Sequence, residues 1–82
     1  MLVHNVGVML HAYRRTAEGV EASFATNLLV PFAMTASLRE AGALDAGSVV
    51  ISVSSGGAYG ARLDLDALEA HEPAQYDGFM AY

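Results

Sequence analysis

The chain opens apolar at Leu2 and Val3, turns polar at His4 and Asn5, and reaches glycine at Gly7. A short apolar run closed in this way reads as the tail of a buried strand, with Asn5-Val6-Gly7 as the turn that leaves it. Val8 to Arg15 holds neither a two-residue nor a helical period and reads as a connecting loop. From Thr16 the pattern changes. Thr16 suits a helix N-cap, and Glu18 falls in the first turn, where a carboxylate meets the positive end of the helix dipole. Val20, Phe24, Leu28 and Phe32 then recur every four residues, and Leu38 extends the same face. The spacing predicts one amphipathic helix packed on a sheet and ended near Gly42, which can take the left-handed conformation past a helix end. Ser48 to Ser54 reads as a strand. Its nearly continuous Val49-Val50-Ile51 run plus Val53 suits a parallel strand covered on both faces. After Gly56 and Gly57 the pattern is loop-rich to Ala81, with a short helix expected at 66–70, where Asp66 and Glu69 have capping-box spacing.

Strand, long helix and strand make one crossover unit, right-handed by the general rule. The expected fold class is therefore α/β: a partial Rossmann-type, doubly wound parallel sheet with a loop-rich tail. Two parallel strands and one helix cannot cover both faces of their own sheet, so the unit is expected to be incomplete as a stand-alone domain. Composition agrees. Hydrophobic residues make up 54% of the chain and charged residues only 16%, against roughly 25% charged in soluble domains, so the stretch reads as an interior slice. No internal repeat, linker or low-complexity segment interrupts it.

The formal charge of -5, from 4 Lys+Arg and 9 Asp+Glu, leaves no cationic surface of the kind nucleic-acid binding requires. The absence of cysteine removes disulfides and thiolate metal ligands, and cytoplasm is the default compartment. The longest apolar tract, Ala22 to Leu38, is broken by Ser23, Thr26, Asn27, Pro31 and Thr35 and falls short of the roughly 20 apolar residues of a membrane span. Glu18 and Glu21 and the lack of a cleavage pattern argue against a signal peptide.

Three positions carry candidate chemistry: Asn27 inside the apolar helix, Ser54-Ser55 at the end of the apolar strand, and Tyr82 after Tyr76-Asp77-Gly78-Phe79. Each has a plain structural reading. Ser-Ser-Gly-Gly is most often a turn, Asn27 can be a helix-edge polar residue, and Tyr82 an ordinary aromatic. Asparagine, serine and tyrosine in that order and in those settings, with His4-Asn5-Val6-Gly7 ahead of them, resemble the short-chain dehydrogenase/reductase family. The likeness is greatest to its retinol-dehydrogenase-like and orphan reductase branch, which has a long segment between serine and tyrosine.

The resemblance implies that residues 1–82 are the central fragment of a single NAD(P)-binding Rossmann-like domain. It implies an oxidoreductase that interconverts alcohol and carbonyl groups of a small-molecule substrate, using NAD or NADP. Catalytic roles fall to Tyr82, which exchanges the proton, to Ser55, which holds the substrate oxygen, with Ser54 as the fallback, and to Asn27, whose backbone carbonyl holds a relay water. Asn5, Val6, Gly7, Val53 and Tyr82 are the implied cofactor contacts, and pairing through the asparagine and tyrosine helices makes a homo-oligomer an expected partner state. The family's glycine-rich loop is expected on an earlier strand and its YxxxK lysine after Tyr82, which leaves the chain alone inactive by expectation.

The sequence adds physical support at one point. Pro31 lies four residues after Asn27 and has no N–H, so the Asn27 carbonyl loses its usual helical donor. It departs from the family at two others. Val30 stands where relatives carry glycine, and Val6 where they carry alanine, with overpacking of about 1–3 kcal/mol expected at Val6. Gly56, Gly57 and Gly60 lack G-x-G-x-x-G spacing and are not read as a phosphate loop. His4, His11 and His71 have no metal-ligand spacing, and Glu69, His71 and Glu72 read as a solvated patch, so no metal is expected. Two other readings stand beside the enzyme: a non-enzymatic truncated product of the same ancestry, and a small α/β interaction module. The choice between NAD and NADP stays open, as does the substrate.

Overall fold

The structure is a computed structural model that describes residues 1–64 and 76–82. Strand β1 (Leu2–His4) and strand β2 (Val50–Ser52) pair in parallel, with Leu2 opposite Val50, Val3 opposite Ile51 and His4 opposite Ser52. Backbone bonds from Leu2 N–H to Val49 O at 2.8 Å and from Val53 N–H to His4 O at 2.9 Å carry the pairing one residue past β2 at each end. Between the strands runs a continuous helix, α1, built of α-helical Ala22–Phe24, π-helical Ala25–Leu29 and α-helical Val30–Glu40. The architecture is thus the expected α/β unit, two parallel strands flanking one long helix, a partial Rossmann-type region.

The helix starts later than the Thr16 cap predicts. Gly19 adopts φ +84°, a left-handed conformation that ends any helix begun at Thr16. Thr16 to Val20 instead closes as a turn, with Thr16 N–H on Val20 O at 2.8 Å and Gly19 N–H on Thr16 O at 3.0 Å. The cap is Glu21, whose carboxylate accepts from Ser23 N–H at 2.9 Å and Phe24 N–H at 2.7 Å. The far end falls as expected. Gly42, at φ +75°, follows the Ala41 cap. Gly42 N–H bonds Arg39 O at 3.1 Å and Ala43 N–H bonds Leu38 O at 2.9 Å, the paired bonds of a Schellman closure.

The face that α1 turns inward also differs from the predicted stripe. Ser23 is fully buried, and Asn27, Pro31, Thr35 and Leu38 are half-buried, whereas Leu28 and Phe32 are 56% and 71% exposed. Polar residues win this face because each has a fixed partner. Asn27 bonds the loop after β1, and Thr35 donates to Pro31 O at 2.9 Å while meeting His4 Nε2 at 2.8 Å. With the Thr35 proton committed to Pro31, the His4 ring is the donor and carries its proton on Nε2. The strand does not show two covered faces: Val49, Val50, Ile51 and Val53 are all exposed in this chain, and Ala25 is the one buried hydrophobic residue among the described residues.

Past β2, Gly56–Gly60 forms a 3₁₀ turn and Gly78–Ala81 a short helix, α2, capped by Asp77, which accepts from Phe79 N–H at 3.0 Å and Met80 N–H at 3.2 Å. The helix expected at 66–70 and the Glu69, His71, Glu72 patch lie outside the described residues.

Candidate functional site

The site begins at the turn leaving β1. Gly7 lies between two of the singled-out side chains: the position a Cβ would take on it is 3.5 Å from Asn27 Oδ1 and 3.9 Å from Tyr82 Cε2. Three distant parts of the sequence therefore meet at the carboxyl end of a parallel strand, the edge at which open α/β sheets place their ligands. Asn27 is fixed there by two hydrogen bonds to the loop backbone. Its Oδ1 accepts from Val8 N–H and its Nδ2 donates to Val8 O, both at 2.8 Å, which imitates a pair of strand bonds and spends the side chain on structure.

The Asn27 backbone is in a different state. Within the π-helical segment Val30 N–H bonds Ala25 O, so it is withdrawn from Thr26, and Pro31 has no N–H to offer Asn27. Two successive carbonyls of α1, those of Thr26 and Asn27, therefore lack the donor four residues ahead that an α-helix supplies. An added turn residue of this kind inside a helix is often found at functional sites.

Beside this point a groove of about 320 Å³ opens between α1 and the strand ends, lined among others by His4, Val6, Asn27, Pro31, Val53 and Ser54. The structure brings Val6, Asn27 and Val53 to one groove, with Ser54 rather than Ser55 on its wall. Ser55 is exposed, and its Oγ accepts from Gly57 N–H at 3.2 Å as the cap of the 3₁₀ turn. Tyr82 is 50% exposed and reaches the site from α2. Asn5 is exposed on the same turn as Gly7. Val6 is 76% exposed and Val30 52%, so within these residues nothing crowds Val6 and nothing packs closely on Val30.

Sequence reasoning passed over Glu21, Ser23 and Tyr76. The Tyr76 hydroxyl lies 3.1 Å from Glu21 Oε1, 3.3 Å from Leu10 O and 3.4 Å from Ser23 Oγ. Its ring meets Tyr13 edge-on at 5.4 Å between centroids. Partial burial raises its pKa above the ordinary 10.0; the bond from Ser23 works against that rise, and the bond to Glu21 with the charges of Glu21 and Asp77 adds to it. The only signal for this group in the sequence was the position of Glu21 just ahead of the first apolar helical residues. Glutamate is a less usual cap than threonine, which made Thr16 the better candidate.

No family model matches the chain, and no solved structure does. Curated proteins do. The chain is 34% identical over 82 residues to dehydrogenase/reductase SDR family member 12 of Bos taurus, covering 100% of this chain and 26% of that protein. It is 41% identical over 73 residues to polyprenol dehydrogenase of Danio rerio, covering 84% of this chain and 22% of that one. With polyprenol dehydrogenase of Homo sapiens it shares 35% over 86 residues, 100% of this chain and 26% of the relative. The chain spans about a quarter of the length of the curated relatives it matches.

Proposed function

We propose, on its likeness to SDR family member 12 and to the polyprenol dehydrogenases, that the chain is part of a short-chain dehydrogenase/reductase and carries the proton-transfer end of an NAD(P)-dependent site interconverting an alcohol and a carbonyl. The observation that carries this reading is the meeting of Asn27 and Tyr82 at Gly7. The Tyr82 phenol gives a proton to the substrate oxygen or takes one from it. A free phenol titrates near 10, so this role calls for a cation or a relay that favours phenolate. The Asn27 carbonyl on α1, to which Pro31 can offer no N–H, is the acceptor this chain offers to such a relay.

The residues present suit one half of a dinucleotide. Val6 and Val53 are exposed at the two strand ends, and Gly7 presents bare backbone between Asn27 and Tyr82, an edge against which a nicotinamide ribose can lie. When bound, the nicotinamide supplies the hydride chemistry. The chain has no G-x-G-x-x-G run to hold a pyrophosphate, so the 82 residues alone are expected to bind neither NAD nor NADP. Calorimetric titration checks this, and micromolar binding of either would contradict it. Substrates are small molecules bearing a hydroxyl or carbonyl group.

For the serine pair, the structure favours a second assignment. Ser54 lines the groove with Asn27, while Ser55 lies off that wall, where its Oγ accepts from Gly57 N–H as the cap of the 3₁₀ turn. Ser55→Ala and Ser54→Ala in the full-length protein separate the two. The more damaging of them, read as loss of NAD(P)-dependent turnover, marks the serine that holds the substrate oxygen. Failure of the unsubstituted full-length protein to reduce any carbonyl or oxidise any alcohol with either dinucleotide would overturn the proposed function.

A further inference from the structure

Glu21 does more than a helix cap requires. Its Oε2 accepts from Phe24 N–H at 2.7 Å and its Oε1 from Ser23 N–H at 2.9 Å, which completes the cap, yet Oε1 also lies 3.1 Å from the Tyr76 hydroxyl. A phenol has one proton. The carboxylate is both nearer than Leu10 O and charged, so it accepts the hydrogen bond from the phenol, and Ser23 donates to the phenol oxygen in turn. Tyr76 lies two residues ahead of α2, the helix that leads into Tyr82. The same segment is seated at Gly78, which is buried so closely that a Cβ there would overlap the Leu10 carbonyl oxygen and stand 3.3 Å from His11 Cα. The start of the asparagine helix and the start of the tyrosine helix are therefore joined through one carboxylate.

We propose that Glu21 and Tyr76 form a clasp that positions Tyr82 against Gly7 and Asn27, acting through the placement of α2 and touching no reacting atom. The inference rests on the reading of Tyr82 as the proton-exchanging residue, but its test does not. In full-length protein with labelled tyrosine and glycine, the Tyr82 ring shifts the Gly7 α-protons and gives them a nuclear Overhauser contact. Glu21→Asp keeps a strong cap and is one methylene too short to reach the phenol. Tyr76→Phe keeps the cap and the Tyr13 contact and removes one oxygen. Both are expected to lose the Gly7 shift and contact while the chemical shifts of Val30 to Glu40 stay helical.

Retention of the Gly7 signature in Tyr76→Phe would overturn the clasp, whether or not Glu21→Asp keeps it, because the cap or the Gly78 seat would then suffice. Absence of the signature from the unsubstituted protein would overturn it as well. Tyr82→Phe preserves the ring and the signature, so a wrong catalytic assignment shows as unchanged turnover in that variant while the clasp result stands.

Discussion

Tyr76 is held as a neutral phenol between a carboxylate and a buried serine, and this couples the fold to alkaline pH. Its pKa is raised above 10.0 in the fold, by partial burial first and then, against the Ser23 bond, by the bond to Glu21 and the charges of Glu21 and Asp77. A raised folded pKa means that the native state binds the proton more tightly. The contribution is fully present below the unfolded pKa and is lost as pH rises through the folded one. The full-length protein is expected to lose stability above about pH 10, and Tyr76→Phe to flatten that loss, as denaturant midpoints measured across the range would show. Equal slopes in the two proteins would contradict it. Tyr76 was illegible in the sequence because its partners Ser23 and Glu21 lie 53 and 55 residues away, beyond any local period. Asn27 stood out because a lone amide among Phe24, Leu28 and Phe32 breaks an apolar pattern, although its side-chain bonds to Val8 were not foreseen. Gly78→Ala would force a methyl group onto the Leu10 backbone, with an expected cost of about 1–3 kcal/mol and loss of the Tyr82 placement. A thermal midpoint unchanged by that substitution would count against the close seat.

At the level of the element, α1 is irregular at the point where the proposed relay calls for an acceptor. The π-helical turn withdraws the Val30 donor from Thr26, and Pro31 withdraws its own from Asn27. Pro31→Ala restores an N–H opposite the Asn27 carbonyl. The expected result is a helix at least as stable, since proline is the poorest helix residue, together with a loss of turnover of about tenfold from occupation of the acceptor. Full turnover in Pro31→Ala would exclude the Asn27 carbonyl from the relay. The end of this helix was legible because Gly42 after a periodic run is a direct chemical signal. Its start was not, because Gly19 forms a left-handed turn that only the bonds among Arg14, Thr16, Val20 and Ala22 make necessary. The inward face was misjudged because hydrophobicity alone placed Leu28 and Phe32 inward, whereas hydrogen bonds from Asn27 and Thr35 decide it. The strands were legible as elements, since the Val49-Val50-Ile51 run reads as β structure wherever it packs.

For the whole molecule, the radius of gyration of 14.4 Å exceeds the about 12 Å of a compact domain of this length. The exposed apolar residues lie along both the strand and the helix: Val50 and Ile51 on β2 with Val49 and Val53 at its ends, and Leu28, Phe32 and Met34 on α1. The 82 residues taken alone are therefore expected to associate and to melt without a cooperative transition. Light scattering that returned a monomer mass together with a sharp calorimetric peak would contradict this. In the proposed function the chain supplies proton transfer while the dinucleotide is held chiefly by other residues. Measuring kcat and dinucleotide Kd together on the full-length Tyr82→Phe protein separates the two roles. The kcat is expected to fall by about a hundredfold or more with Kd essentially unchanged; wild-type turnover in that variant would refute the role of Tyr82.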